Sequence, residues 1–255
     1  MRTFLVNFES LDGLSLDGAL FMPQARTRRV VLHVHGYMGS FYQPGFVNTM
    51  ARALAREGWA MLSFNNRGSG VQTRFYKNAD GKKERVILGG LTEKMDECIM
   101  DISGAIDFLK GRGFEEIILS SHSLGCSKIA YYAMKTGYAD KMIMLAPCDS
   151  CRSRGDKEKE EIRKKILPAD GVFDIFRYRD GKAYPLAESL KANILVQIGT
   201  EDSYYEQGNK IECINYIKSA FKNTKVSGYI IDGADHSYRG KEEEMIKNVI
   251  SFIKK

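Results

Sequence analysis

Apolar and polar positions along the chain change period many times, and each change marks an element. "TFLVNFES" and "LSLDGALFMP" alternate and predict an opening antiparallel pair joined through the Asp12-Gly13 turn. "RVVLHVHG" is instead a short continuous apolar run, the signature of a strand covered on both faces. "FVNTMARALAREG" predicts a helix closed by Gly58, and "WAMLSFNN" the next strand. Residues 74–90 are polar around Asp80-Gly81 and read as a long loop or an inserted hairpin. Met95, Cys98, Ile99, Ile102, Ala105, Ile106 and Leu109 then recur at three- and four-residue spacing, which predicts a helix with one buried face.

The alternation continues to the end of the chain. "EEIILSS" predicts a strand, "LGCSKIAYYAMKTG" a helix stopped by glycine, and "KMIMLAP" another strand. "NILVQIGTED" and "VSGYIIDG" are the last strands, with helices around 209–221 and 241–254. Such an order implies an α/β fold: a mostly parallel, doubly covered sheet of about eight strands in one domain spanning 1–255. Right-handed crossovers put its functional loops at the carboxyl ends of the strands. Residues 148–190 break the pattern, with mixed charge in "RSRGDKEKEEIRKK" followed by "ILPADGVFDIFRYRDG". A connection of that length reads as an inserted cap. Its aromatic residues Phe173, Phe176, Tyr178 and Tyr184 either line a pocket or pack the cap down. Its arginines Arg152, Arg154, Arg177 and Arg179 either meet an anionic substrate or only solvate the cap.

Composition narrows the partners. With 255 residues, 44% hydrophobic and 27% charged, the chain can bury a substantial core. The formal charge is +6, but basic residues are scattered among acids, so nucleic acid is not an expected partner. "MRTFLVNFES" lacks the apolar stretch of a signal peptide, and no segment reaches the roughly 18 apolar residues of a membrane span. Five scattered cysteines, Cys98, Cys126, Cys148, Cys151 and Cys213, fit a reducing cytoplasm. Cys148 and Cys151 form a single CxxC with no second pair or nearby histidine, so no metal site is expected.

The candidate chemistry lies at strand ends. In "IILSSHSLGCSK" Ser123 stands where a strand turns into a helix, with small residues two places away on either side, Ser121 and Gly125. Such a corner lifts a hydroxyl clear of the sheet and points a helix N-terminus at it. A serine hydroxyl needs a base, an orienting acid and donors for a developing oxyanion. Of His33, His35, His122 and His236, only His236 lies downstream of Ser123, in "DGADHSY" after the last strand. "IGTEDS" offers Glu201 and Asp202 as the acid, with Asp202 preferred and Asp149 in reserve; Asp232 and Asp235 read as shaping the histidine turn. "HVHGYMGS" turns sharply at Gly36, so that the Tyr37 backbone N–H, with Met38 as the alternative, pairs with that of Leu124 as the hole.

These segments carry a resemblance. Through HGYMG (35–39), NRGSG (66–70), SHSLG (121–125), GTED (199–202) and DH (235–236), nearly the whole chain resembles the α/β-hydrolase superfamily. The overall layout is similar to that of small serine esterases of the cinnamoyl/feruloyl-esterase and monoacylglycerol-lipase type. A second similarity, from "GGLTEKMDECIMDISGAIDFL" into "SHSLGCSKIAYY", is to siderophore-esterase-like hydrolases. The resemblance implies a triad in the order Ser123, Asp202, His236 and no cofactor, without fixing a substrate; a carboxylic ester of a small molecule is the expected one. Thioesterase, acyltransferase or amidase/peptidase chemistry on the same triad, and a non-catalytic binder on the fold, are the alternatives. Two positions depart from the pattern: Ser121 replaces a glycine, and Asn66 replaces the aspartate often found before Arg-Gly. Asn66 and Arg67 are expected to support the loops around the site.

Overall fold

A computed structural model describes residues 1–138, 140–147, 191–203 and 224–255, with positions 210, 211, 214, 215 and 218. The expected cap at 148–190, Asp149 and three of the five cysteines lie outside the described residues, as does most of the 209–221 helix. The opening pair is β1 (Arg2–Glu9) and β2 (Ser15–Met22), antiparallel and in register from Arg2 opposite Met22 to Glu9 opposite Ser15. Next come β3 (Arg29–Val34), α1 (Phe46–Arg56) and β4 (Ala60–Phe64). The polar stretch after β4 is the hairpin of the two expected possibilities, β5 (Thr73–Ala79) and β6 (Lys82–Leu88). Asp80 and Gly81 both take positive φ, 51° and 75°, as a two-residue turn matched to strand twist requires.

The chain continues through α2 (Cys98–Gly111), β7 (Glu116–His122), α3 (Leu124–Thr136) and β8 (Lys141–Leu145). It ends with β9 (Asn193–Gly199), β10 (Lys225–Ile231) and α4 (Glu242–Ile253). Eight strands form one sheet in the order β1-β2-β4-β3-β7-β8-β9-β10, and from β4 to β10 neighbours run parallel. The α/β fold expected from the alternation is the fold observed.

Successive residues of a strand face opposite sides, so the continuous apolar runs feed two cores. Val30, Leu32 and Val34 of β3 pack with Leu62 and Phe64 of β4 beneath α2 and α3. Val31 and Met61 point the other way, onto Phe46, Met50 and Leu54 of α1 and Val249 and Phe252 of α4. Met95, expected within the second helix, instead precedes it in a turn while staying buried. The turn arises where Glu93 is drawn inward to an ion pair with Lys128. Arg67 ties this region together: its backbone N–H and guanidinium bond the buried Asp101 carboxylate of α2, and it also reaches Asp12 and Glu97. Burial alone would lower the Arg67 pKa, but the Asp101 charge outweighs it and holds the guanidinium protonated.

Candidate active site

Ser123 occupies the sharp corner between β7 and α3, with φ 56° and ψ −128°, backbone geometry that a non-glycine residue adopts only under constraint. Its N–H donates to the Leu145 carbonyl at 3.0 Å, and its carbonyl accepts from Cys126 at 2.9 Å. Crowding at the corner falls on the flanking positions. A side chain on Gly125 would run into the Val34 and His35 carbonyls at the end of β3. Ser121 is tolerated because its hydroxyl is fully buried and donates to the Ile143 carbonyl of β8 at 3.2 Å.

The ends of β9 and β10 converge on the same corner. Gly199 lies so close to Ala234 that a Cβ would overlap its carbonyl, and the Glu201 N–H donates to that carbonyl at 2.9 Å. This contact brings the buried Asp202 to His236, where the Nδ1 and carboxylate Oδ2 are 2.8 Å apart. Glu201 is exposed, Asp232 accepts from Thr200, and Asp235 accepts the Ser237 and Arg239 N–H groups within its own turn. His122, next to Ser123, donates from Nε2 to the His236 carbonyl at 2.7 Å, with the two rings 4.7 Å apart. The buried Tyr238 braces the loop from behind. Its hydroxyl accepts the Ala146 N–H at 2.8 Å and donates to the Gln197 carbonyl at 2.7 Å.

The turn after β3 lies against the serine. A Cβ built on Gly36 would stand 2.8 Å from Ser123 Cβ and 3.2 Å from the Leu124 nitrogen, so only glycine lets this backbone approach. Tyr37 follows half-buried, and Met38 has a φ of 53°. His35 is fully enclosed, with Nδ1 2.8 Å from the Gly36 carbonyl and Nε2 accepting the Asn66 N–H at 3.2 Å. The Asn66 amide donates to the His35 carbonyl at 3.4 Å and accepts from Gly68 N–H at 3.0 Å and Lys128 Nζ at 3.2 Å. Burial, followed by neighbouring charges, lowers His33, His35 and His122 to about 3, so all three rings are neutral. Among the described residues no group of three or more His, Cys, Asp or Glu side chains is placed to hold a metal ion.

Asn66 fits its expected place beside the loops, whereas Lys128 and Glu93 were not singled out in the sequence. Lys128 is the one charged side chain between Leu124 and Met134, a stretch buried throughout, and that isolation is the signal in the sequence that could have marked it.

Residues 25–169, more than half of the chain, match the family described as Serine aminopeptidase, S33, an α/β-hydrolase family. The chain belongs to this family. The S33 hydrolase is also similar in fold to solved esterases. Est1E from Butyrivibrio proteoclasticus, with ferulic acid bound, is 16% identical with a TM-score of 0.68, the match covering 96% of this chain and 97% of that one. Pf2001 from Pyrococcus furiosus is 18% identical with a TM-score of 0.69, over 99% and 92%. The esterase domain of a Rhodothermus marinus protein is 18% identical with a TM-score of 0.62, over 98% and 96%. No curated protein matches the sequence of this hydrolase.

Proposed function

We propose that this S33 hydrolase cleaves carboxylic esters of small molecules through an acyl-enzyme on Ser123. The observation that carries the reading is the constrained corner at Ser123 together with the His236–Asp202 pair beside it. With the Asp202 carboxylate accepting from Nδ1–H, His236 presents Nε2 as its basic nitrogen. Ser123 Oγ attacks the ester carbonyl carbon as its proton passes to Nε2, and the carbonyl π pair moves onto oxygen. The Tyr37 and Leu124 N–H groups stabilise that oxyanion. Collapse breaks the bond to the alkoxy oxygen, which leaves with the proton from His236. Water then attacks the acyl-serine with the same base, releasing the acid and restoring Ser123.

Est1E, whose structure holds ferulic acid, and the other esterases of this fold favour an ester over an amide. Phe41 and Tyr42, edge to face at 5.2 Å, follow the Tyr37 turn and suit an aromatic or medium-length acyl group. The segment 148–190 is proposed as the cap over this site. The peptidase in the family description gives the competing substrate class.

A panel of 4-nitrophenyl esters of graded acyl length, one matched thioester and amino-acid 4-nitroanilides tests the proposal. Esters should turn over fastest, and Ser123→Ala should abolish turnover while its circular dichroism stays that of wild type. Turnover surviving in Ser123→Ala would remove the serine from the mechanism. Anilides outpacing esters would make the chain a peptidase.

A further inference from the structure

The interior beneath the Gly36 turn holds an ion pair that the acyl-enzyme chemistry does not use directly. Lys128 Nζ lies 2.5 Å from Glu93 Oε2, and both side chains are only 2% exposed. Burying two charges carries a desolvation penalty of several kcal/mol per ion that mutual attraction only partly offsets. The pair is also placed with a direction. Beyond Glu93, the Lys128 ammonium donates to Asn66 Oδ1, and Gly68 packs so tightly on Glu93 that a Cβ there would overlap the carboxylate.

From Asn66 the chain of contacts runs to the catalytic corner. The Asn66 backbone N–H can only donate, so His35 Nε2 accepts and the ring proton sits on Nδ1. That Nδ1–H donates to the Gly36 carbonyl. In a trans peptide the carbonyl and the next N–H point in opposite directions. Anchoring the Gly36 oxygen therefore sets the direction of the Tyr37 N–H. The arrangement needs a neutral His35, since an imidazolium has no acceptor nitrogen. Burial first, and the Lys128 charge next, keep it so by lowering its pKa to about 3.

We propose that Lys128, paired with Glu93, is a positioning residue of the oxyanion site: it holds Asn66, which fixes the His35 ring and through it the Gly36–Tyr37 peptide. The inference rests on the acyl-enzyme reading, because it assigns the Tyr37 N–H to the oxyanion. An oxyanion donor acts mainly in the transition state, so its misplacement lowers kcat and leaves KM nearly unchanged.

The test has two parts. Long-range 1H–15N spectra of the wild-type histidine rings should show His35 as the Nδ1–H tautomer, unchanged from pH 8 to 5. An Nε2–H ring, or one that titrates in that range, overturns the proposal without touching the role of Ser123. The second part is Lys128→Met/Glu93→Gln, which removes both charges at similar volume. On the best ester of the panel, kcat should fall about 10- to 100-fold, less than loss of a whole oxyanion donor. KM should stay within about twofold, and a trifluoromethyl ketone, whose serine adduct carries the oxyanion, should bind weaker by the same factor. Complete labelling of Ser123 by a fluorophosphonate would show the nucleophile intact. A folded double variant with wild-type kcat and ketone affinity overturns the proposal, whereas turnover in Ser123→Ala overturns the acyl-enzyme reading itself. Asn66→Ala is read by the same two measurements should the double variant not fold, and an Nε2–H ring in the wild type overturns the proposal independently of either.

Discussion

Ser121 shows how a single departure from a pattern is absorbed. A glycine is usual here because the corner at Ser123 leaves little room, yet the hydroxyl fits and donates to Ile143 of the neighbouring strand. The group is fully buried, so its partner matters more than its size. Ser121→Ala should lower unfolding stability by about 0.5–1.5 kcal/mol, the usual net value of one such bond, with kcat/KM unchanged. Urea titration alongside ester turnover separates the two effects. A large loss of turnover would mean that Ser121 sets the corner geometry as well as filling it.

At the level of elements, strands and helices were legible wherever one period ran uninterrupted. Phe46, Val47, Met50, Ala51 and Leu54 form the buried face of α1, and the apolar run of β4 is buried at all five positions. The segment 74–90 left a choice between loop and hairpin because Phe75 is the one fully buried side chain of its two strands, with Val86 and Leu88 only partly buried beside it, too few apolar positions to mark an alternation in the sequence. Candidate site residues were legible for the same local reason: glycines, serines and acids at strand ends stand out against apolar runs. The Lys128–Asn66–His35 chain did not stand out, since its members lie up to 93 residues apart and nothing local signals their contact. Tyr238 is another such member, joining the ends of β8 and β9 to the His236 turn. Tyr238→Phe removes two hydrogen bonds, one to the Ala146 N–H and one to the Gln197 carbonyl, which stay paired with each other at 2.8 Å. A loss of about 1–3 kcal/mol is expected by thermal or urea unfolding. Activity should fall as well, because the loop braced by Tyr238 carries His236, the proposed base.

Across the whole molecule, acid sensitivity follows from the histidines. His33, His35 and His122 are lowered from 6.5 to about 3 in the folded state, first by burial. Folded pKa values below the unfolded ones mean that the unfolded chain binds more protons between those limits. The stability they contribute is present above pH 6.5 and is lost as pH falls from there toward 3. Asp12 adds to the loss lower down. Burial would raise it, but hydrogen bonds from Ser10 and Lys77 and the Arg67 charge bring it to about 2. Its contribution is present above 3.8 and disappears as pH falls through 2. Urea midpoints measured from pH 8 to 4 should therefore decline most steeply below about 6.5, with close to three protons taken up on unfolding near pH 5. A flat profile over that range would mean that the rings are protonated in the native protein.

The proposed nucleophile and the proposed base sit at different depths in the sheet. Ser123 follows β7, a central strand, whereas His236 follows β10, which has β9 as its sheet partner and forms the rim. Rim strands open at lower free energy than central ones, independently of global unfolding. Trp59, the single tryptophan, is buried beside the inner strand β4 and reports on the centre of the molecule. Ester turnover should thus vanish at a lower urea concentration than the Trp59 fluorescence transition. The last strand would act as a fuse, switching off the hydrolase by separating the proposed base from the proposed nucleophile while most of the fold is still in place.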